Sequence, residues 1–186
     1  VAAANARQSG LAGRVGFVRA DLREAAAWAR AGCFAAAVIN PPYRKVGTGR
    51  LSPDPRRAMA RHEVTLDLCA WLAAARHLVA PGGRLFFTQL AEREEESLRQ
   101  MGERGFYLRR VRRVHPSEGK PAASVLVEAA RGGSGSRPED PAEHLPPLIV
   151  YREAGLYTEE VRRMYERFGV EARGGRVARA DEVRGG

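Results

Sequence analysis

The stretch Val38-Ile39-Asn40-Pro41-Pro42-Tyr43 sets a carboxamide, two prolines and a phenol ring directly after a short apolar run, Phe34–Ile39. That combination suits chemistry on a conjugated amino group. The exocyclic amine of adenine, like the amide of glutamine, is a poor nucleophile because its lone pair is delocalised into the adjoining π system. Two acceptors aimed at its N–H bonds favour a pyramidal nitrogen and release the lone pair as the transition state forms, so they stabilise that state more than the ground state. The Asn40 side-chain oxygen and the Pro41 carbonyl can be those acceptors. Pro41 and Pro42 hold the carbonyl in place because their φ angles are fixed in advance. Tyr43 offers a flat face for a planar base that has left its own stack. The bland alternative is a turn after a strand with Tyr43 closing over the core, but a turn rarely needs this tetrapeptide at the end of a buried strand.

Such a motif must sit where an open α/β sheet places its sites, outside the carboxyl ends of the strands. The pattern around it supplies that frame. Residues 1–8 are helix-like and Gly10 is placed to stop the helix. Residues 14–20 (RVGFVRA) read as a short strand, and Asp21 opens a helix-like segment over 21–30 that Gly32 ends. Phe34–Ile39 is apolar throughout, as in a strand buried on both faces. Residues 45–61, rich in Gly, Pro, Ser and Arg, read as a loop. Val64, Leu68, Trp71, Leu72, Ala75, Leu78 and Val79 then recur at helical spacing, and Pro81-Gly82-Gly83 closes that helix. A buried strand over 85–90 and a polar helix over 92–104 follow, and then strands over 106–114 and 123–130 with room only for a hairpin between them. The expected architecture is α/β with a mostly parallel sheet and a C-terminal antiparallel hairpin. Residues 131–147 read as a linker, 148–168 as a strand and helix with Thr158 as N-cap, and 169–186 as a frayed tail.

Composition narrows the class. The chain has 186 residues, 44% of them hydrophobic and 28% charged, the profile of one globular domain. No apolar run is long enough to cross a bilayer, and the first residues lack the basic and apolar regions of a signal peptide. Cys33 and Cys69 have no metal-ligand spacing and cannot form a disulfide scaffold, so no metal is expected and a reducing cytoplasm fits.

The net charge of +9 favours a polyanionic partner, although the excess is nearly all arginine, with Lys45 and Lys120 as the two lysines. Arg44, Lys45, Arg50, Arg56, Arg57 and Arg61 cluster just after the motif, where they could contact RNA phosphates. Arg109, Arg110, Arg112 and Arg113 fall on the hairpin, either on a solvated face or on an RNA surface. His62 reads as a phosphate contact or helix-start residue, and His115 as a turn residue. Neither is needed as a base, since an amino nitrogen that has attacked an electrophile loses its proton readily to water.

The tetrapeptide resembles that of class I methyltransferases that use S-adenosylmethionine to methylate amino groups. Gly47 to Arg50, Pro55, Ala60-Arg61-His62-Glu63, Val114-His115-Pro116, Gly119, Pro121-Ala122 and Val125-Leu126-Val127-Glu128-Ala129 are similar to the valine-tRNA adenine-N6 methyltransferase family over about residues 1–157. The resemblance implies a Rossmann-like fold, S-adenosylmethionine as cofactor and tRNA as substrate. It implies that Asn40, Pro41, Pro42 and Tyr43 hold the target base. Asp21 and Asn40 would bind the cofactor, Asp21 by accepting from its adenine amine, unless Asp21 is simply a helix N-cap. The family's first strand with its glycine-rich loop, and its second strand with a ribose-binding acid, have no counterpart here. Gly47-Thr48-Gly49 follows a loop, and Gly132-Gly133-Ser134-Gly135 leads into no helix. The chain is therefore expected to be an N-terminally truncated methyltransferase domain over 1–130, inactive in this form. Glutamine-N5 methylation of release factors shares the motif, and a non-catalytic RNA-binding remnant is the reading of another class.

Overall fold

The structure, a computed structural model, describes residues 1–41, 68–133, 141–152 and 155–169. Its elements in chain order are α1 (Ala2–Gln8), a 3-10 turn (Leu22–Glu24) running into α2 (Ala25–Trp28), β1 (Phe34–Ile39), α3 (Leu68–Leu78), β2 (Val79–Leu90), a 3-10 turn (Ala91–Arg93) leading to α4 (Glu94–Glu103), β3 (Phe106–Ser117), β4 (Ser124–Arg131), β5 (Glu143–His144), β6 (Leu148–Tyr151) and α5 (Glu159–Arg167). The strands form one sheet in the order β1-β2-β4-β3-β5, with β6 also on β3. β1 and β2 are parallel, and β5 and β6 run parallel to β3. β4 is antiparallel to both of its neighbours, β2 and β3. The α/β sheet with a C-terminal antiparallel hairpin is thus present.

The core lies on one face of the sheet. Period-2 alternation turns Leu85, Phe87, Val125, Val127 and Ala129 to the helices, where Leu68, Trp71, Leu72 and Ala75 of α3 meet them. Met101 of α4 and Phe106 complete the cluster, and the rings of Trp71 and Phe87 lie 5.1 Å apart at 59°. α3 buries this stripe because its apolar residues recur three and four apart. α4 is polar, with Glu94, Glu95 and Glu96 in its first turn, where the helix dipole favours negative charge. Gly105, at φ +73, turns the chain out of it.

Five expectations change. Residues 14–20 form no strand among the described residues: Arg14 closes a turn on the Leu11 carbonyl, and Phe17 and Val18 are exposed. Alternation specifies an extended backbone, whereas pairing depends on a neighbour elsewhere in the chain. Phe34–Ile39 is a strand, yet it is not buried on both faces: β1 pairs with β2 alone among the described residues, and Val38 is 81% exposed. The segment after Asp21 is one 3-10 turn and one turn of α-helix rather than a helix over 21–30. Pro81-Gly82-Gly83 lies inside β2, not between a helix and a strand. The pairing passes from Phe34↔Val79 to Ala36↔Arg84 across it, with Gly82 at φ +77. The 131–147 stretch is not all linker, since Arg131 ends β4 and Glu143–His144 pairs with β3. The loop over 45–61, the start of the long helix at Val64 and the tail beyond 169 lie outside the described residues. No helix among the described residues is long and apolar enough to cross a membrane.

Candidate active site

β1 and β2 bring the site together by register. The parallel pairs Val38↔Phe86 and Ile39↔Phe87 set Asn40, just past the carboxyl end of β1, level with Thr88, which lies two residues before the end of β2. The Thr88 Oγ1 hydroxyl donates to Asn40 Oδ1 at 2.9 Å. Pro41 follows and is buried. Its ring disfavours the helical region for Asn40, which keeps that residue's backbone extended.

Side chains of the sheet face opposite the core line a groove of about 440 Å³ that holds Asn40 and Thr88 at one end. Val38, Phe86, Leu126 and Leu145 give it an apolar floor, and Glu128, Arg110 and Arg112 line the rest. Glu128 is 8% exposed. Arg84 is hydrogen-bonded to its Oε1, and Arg110 Nη1 stands 3.6 Å from its Oε2. Burying a carboxylate is costly unless it is paired, and these two guanidinium groups answer that need. Arg110 also meets Glu143 at 2.9 Å, and Arg112 donates to Glu160 and to the Pro146 carbonyl. Arg113 donates to both carboxylate oxygens of Glu94, at 2.8 and 3.0 Å, and its pKa rises accordingly. Arg110, Arg112 and Arg113 are therefore engaged with carboxylates of the same chain. His115 Nδ1 donates to the Lys120 carbonyl at 2.7 Å across the hairpin turn, the place of a turn residue.

Asp21 is the N-cap of the 3-10 turn, its Oδ1 accepting from the Arg23 N–H at 2.9 Å. The Arg23 guanidinium donates to both carboxylate oxygens as well. These hydrogen bonds lower the Asp21 pKa from 3.8 to about 2. An ionised carboxylate has about four acceptor directions, and Arg23 takes up four bonds there. Asp21 thus serves as the N-cap the sequence offered as one of its two readings, and it is not among the described residues that line the groove with Asn40. Pro42, Tyr43, Arg44, Lys45, Arg50, Arg56, Arg57, Arg61 and His62 lie outside the described residues.

Two features escaped the sequence reading. Thr88 carries no motif and Glu128 entered only within the Val125–Ala129 run, with no role of its own; Thr88 is placed by the Ile39↔Phe87 register, which the ends of the 34–39 and 85–90 strands do not disclose because β2 runs on past it to Leu90.

No family model matches the chain. Curated relatives do. A tRNA1(Val) (adenine(37)-N6)-methyltransferase of Vibrio vulnificus is 35% identical over 91 residues, 49% of this chain and 37% of the relative. The protein of the same name from Porphyromonas gingivalis is 30% identical over 135 residues, 70% of this chain and 49% of the relative. The chain thus spans less than half of either. Among solved structures, a predicted O-methyltransferase from Agrobacterium tumefaciens superposes with a TM-score of 0.62 at 20% identity, covering 89% of this chain and 69% of that one. The fold is that of the class I methyltransferases.

Proposed function

We propose, for a chain with this fold that is related to the tRNA1(Val) (adenine(37)-N6)-methyltransferases, that the whole protein methylates the N6 amino nitrogen of an adenine in tRNA. S-adenosylmethionine would supply the methyl group, as an electrophilic carbon on a sulfonium. The transfer is a direct displacement with no covalent enzyme intermediate.

The observation that carries this reading is the Asn40 carboxamide beside the buried Pro41, at the carboxyl end of β1. Asn40 Oδ1 accepts one N–H of the target amine, and the Pro41 carbonyl accepts the other. Both acceptors gain strength as positive charge develops on nitrogen, so their effect falls on the transition state. After transfer the cationic nitrogen is acidic and gives its proton to water. Tyr43 stacks on the displaced base. Arg44, Lys45, Arg50, Arg56, Arg57, Arg61 and His62 contact phosphates and fix the register of the RNA. Asp21 accepts from the adenine amine of the cofactor, for which its exposed pair with Arg23 opens. Two free thiols, Cys33 and Cys69, suit a cytoplasmic enzyme.

The motif chemistry would serve a glutamine amide equally well, but a glutamine substrate has no use for an arginine-rich loop. Methyl transfer by the whole protein to tRNA from a strain lacking the modification, followed by nuclease digestion and detection of N6-methyladenosine, tests the reading. Labelling of a release factor with none on tRNA would overturn it.

A further inference from the structure

We infer that Thr88 is a positioning residue for the Asn40 carboxamide, a role that rests on the amino-group reading above but is set by geometry of its own. An asparagine side chain has one rotation that matters here. Its χ2 is broad and close to two-fold, so oxygen and nitrogen can exchange places at little cost. An exchange here would turn an N–H toward an incoming amino group, where an acceptor is needed. Pro41 restricts the backbone of Asn40 but has no hold on this rotation.

Thr88 supplies such a restraint. Parallel pairing through Ile39↔Phe87 sets it level with Asn40 on the adjacent strand, and the alternation that puts Val38 and Phe86 on the groove face puts Asn40 and Thr88 there too. Threonine is β-branched, so χ1 has few states on a strand and its hydroxyl is aimed by the backbone. The bond from Thr88 Oγ1 to Asn40 Oδ1, 2.9 Å long, fixes which end of the amide faces β2. A carbonyl oxygen has two in-plane lone pairs, so accepting from Thr88 does not bar Oδ1 from accepting the target N–H. The hydroxyl therefore orients the acceptor without touching the substrate.

Asparagine occurs at positions 5 and 40 alone, so protein labelled with ¹⁵N-asparagine shows two side-chain amide pairs, and Asn40→Ala identifies the second. In the 186-residue chain the Asn40 pair should be sharp and rigid by heteronuclear relaxation. Thr88→Val, which keeps the shape and removes the donor, should broaden or average it, and Thr88→Ser should restore it. Thr88→Ala carries the same expectation should the valine variant not fold. A rigid Asn40 amide in both donor-free variants would overturn the inference.

In the whole protein, Thr88→Val should lower kcat by about 10–100-fold with KM for tRNA within about twofold, because misplacing a group by ~1 Å costs on that scale. Thr88→Ser should return kcat to within about threefold of wild type, since it restores the donor. Unchanged kcat in Thr88→Val beside an active wild type overturns the role of Thr88 alone. A wild type that does not methylate tRNA overturns the proposed activity, while the amide spectra still decide whether Thr88 holds Asn40.

Discussion

Substituting Gly83 by alanine should loosen the strand that carries Asn40. A Cβ at Gly83 would lie 2.7 Å from the Ala35 carbonyl oxygen, 2.8 Å from that of Ala80 and 2.8 Å from Val79 Cγ1. Two of these neighbours are backbone, so no side-chain rotation relieves the clash. Either β1 moves away from β2 or the irregular segment at Gly82 opens. Overpacking of a close-packed site costs about 1–3 kcal/mol, and rigid backbone neighbours place this site toward the upper part of that range. Gly102→Ala provides the opposite sign in the same molecule. Gly102 lies in α4, a Cβ added there would meet nothing within 4 Å, and the position needs no positive φ. Alanine there should stabilise by about 0.5–1 kcal/mol through helix propensity. Urea unfolding followed by the fluorescence of Trp71, buried against Phe87, separates the two. With a slope of about 2 kcal/mol/M, the midpoint of Gly83→Ala should fall on the order of 1 M while that of Gly102→Ala rises slightly. A Gly83→Ala protein that unfolds at or above the wild-type midpoint would refute the argument that the close approach of β1 to β2 requires glycine.

Other expectations concern the chemistry more directly. Asn40→Ala in the whole protein should lower methyl-transfer kcat by about 100-fold or more, the usual cost of removing one preorganised hydrogen-bonding group, with cofactor affinity nearly unchanged; wild-type turnover would remove Asn40 from the mechanism. Replacing Arg56 and Arg57 by glutamine should weaken tRNA binding at low salt and reduce the salt slope by about 1 for each phosphate no longer neutralised, as read by titrations at several salt concentrations; an unchanged slope would place the loop off the RNA. The Asp21 carboxyl should titrate by NMR near its lowered value of about 2, and Arg23→Ala should return it toward 3.8. Because its folded-state pKa is depressed, the pair contributes to stability above about 3.8, and that contribution is lost as pH falls through about 2. An ordinary midpoint for Asp21 in the wild type would mean that Arg23 does not hold it.

Local signals in the sequence were read well. The stop at Gly105, the cap at Thr158 and the hairpin between residues 114 and 123 each depend on residues a few positions apart, and each is present. The Asn-Pro junction announced a strand end, and a strand ends there. Pairing over long separations was less legible. The run at 14–20 looks like a strand because Val15, Phe17 and Val18 favour one, but nothing in that short run says whether a partner strand lies beside it. Glu143–His144 shows the converse, being too short and too polar to announce a strand. β3 imposes that pairing, reinforced by the Arg110–Glu143 ion pair. At the site, the acceptor was evident from its residue type, whereas its anchor at Thr88 follows only from the register of two strands.

Among the described residues β1 lies at the side of the sheet, which bears on the order in which the parts of this chain come apart. β4 is bonded on both flanks, whereas β1 holds to the described sheet through β2 alone. Releasing β1 breaks one ladder and leaves the Trp71–Phe87 core intact, so it requires less free energy than global unfolding. Asn40 rides on that strand. In the 186-residue chain, heat or mild denaturant should therefore free the Asn40 side chain while most of the described core is still folded, and the Asn40 amide signal should change before the Trp71 fluorescence does.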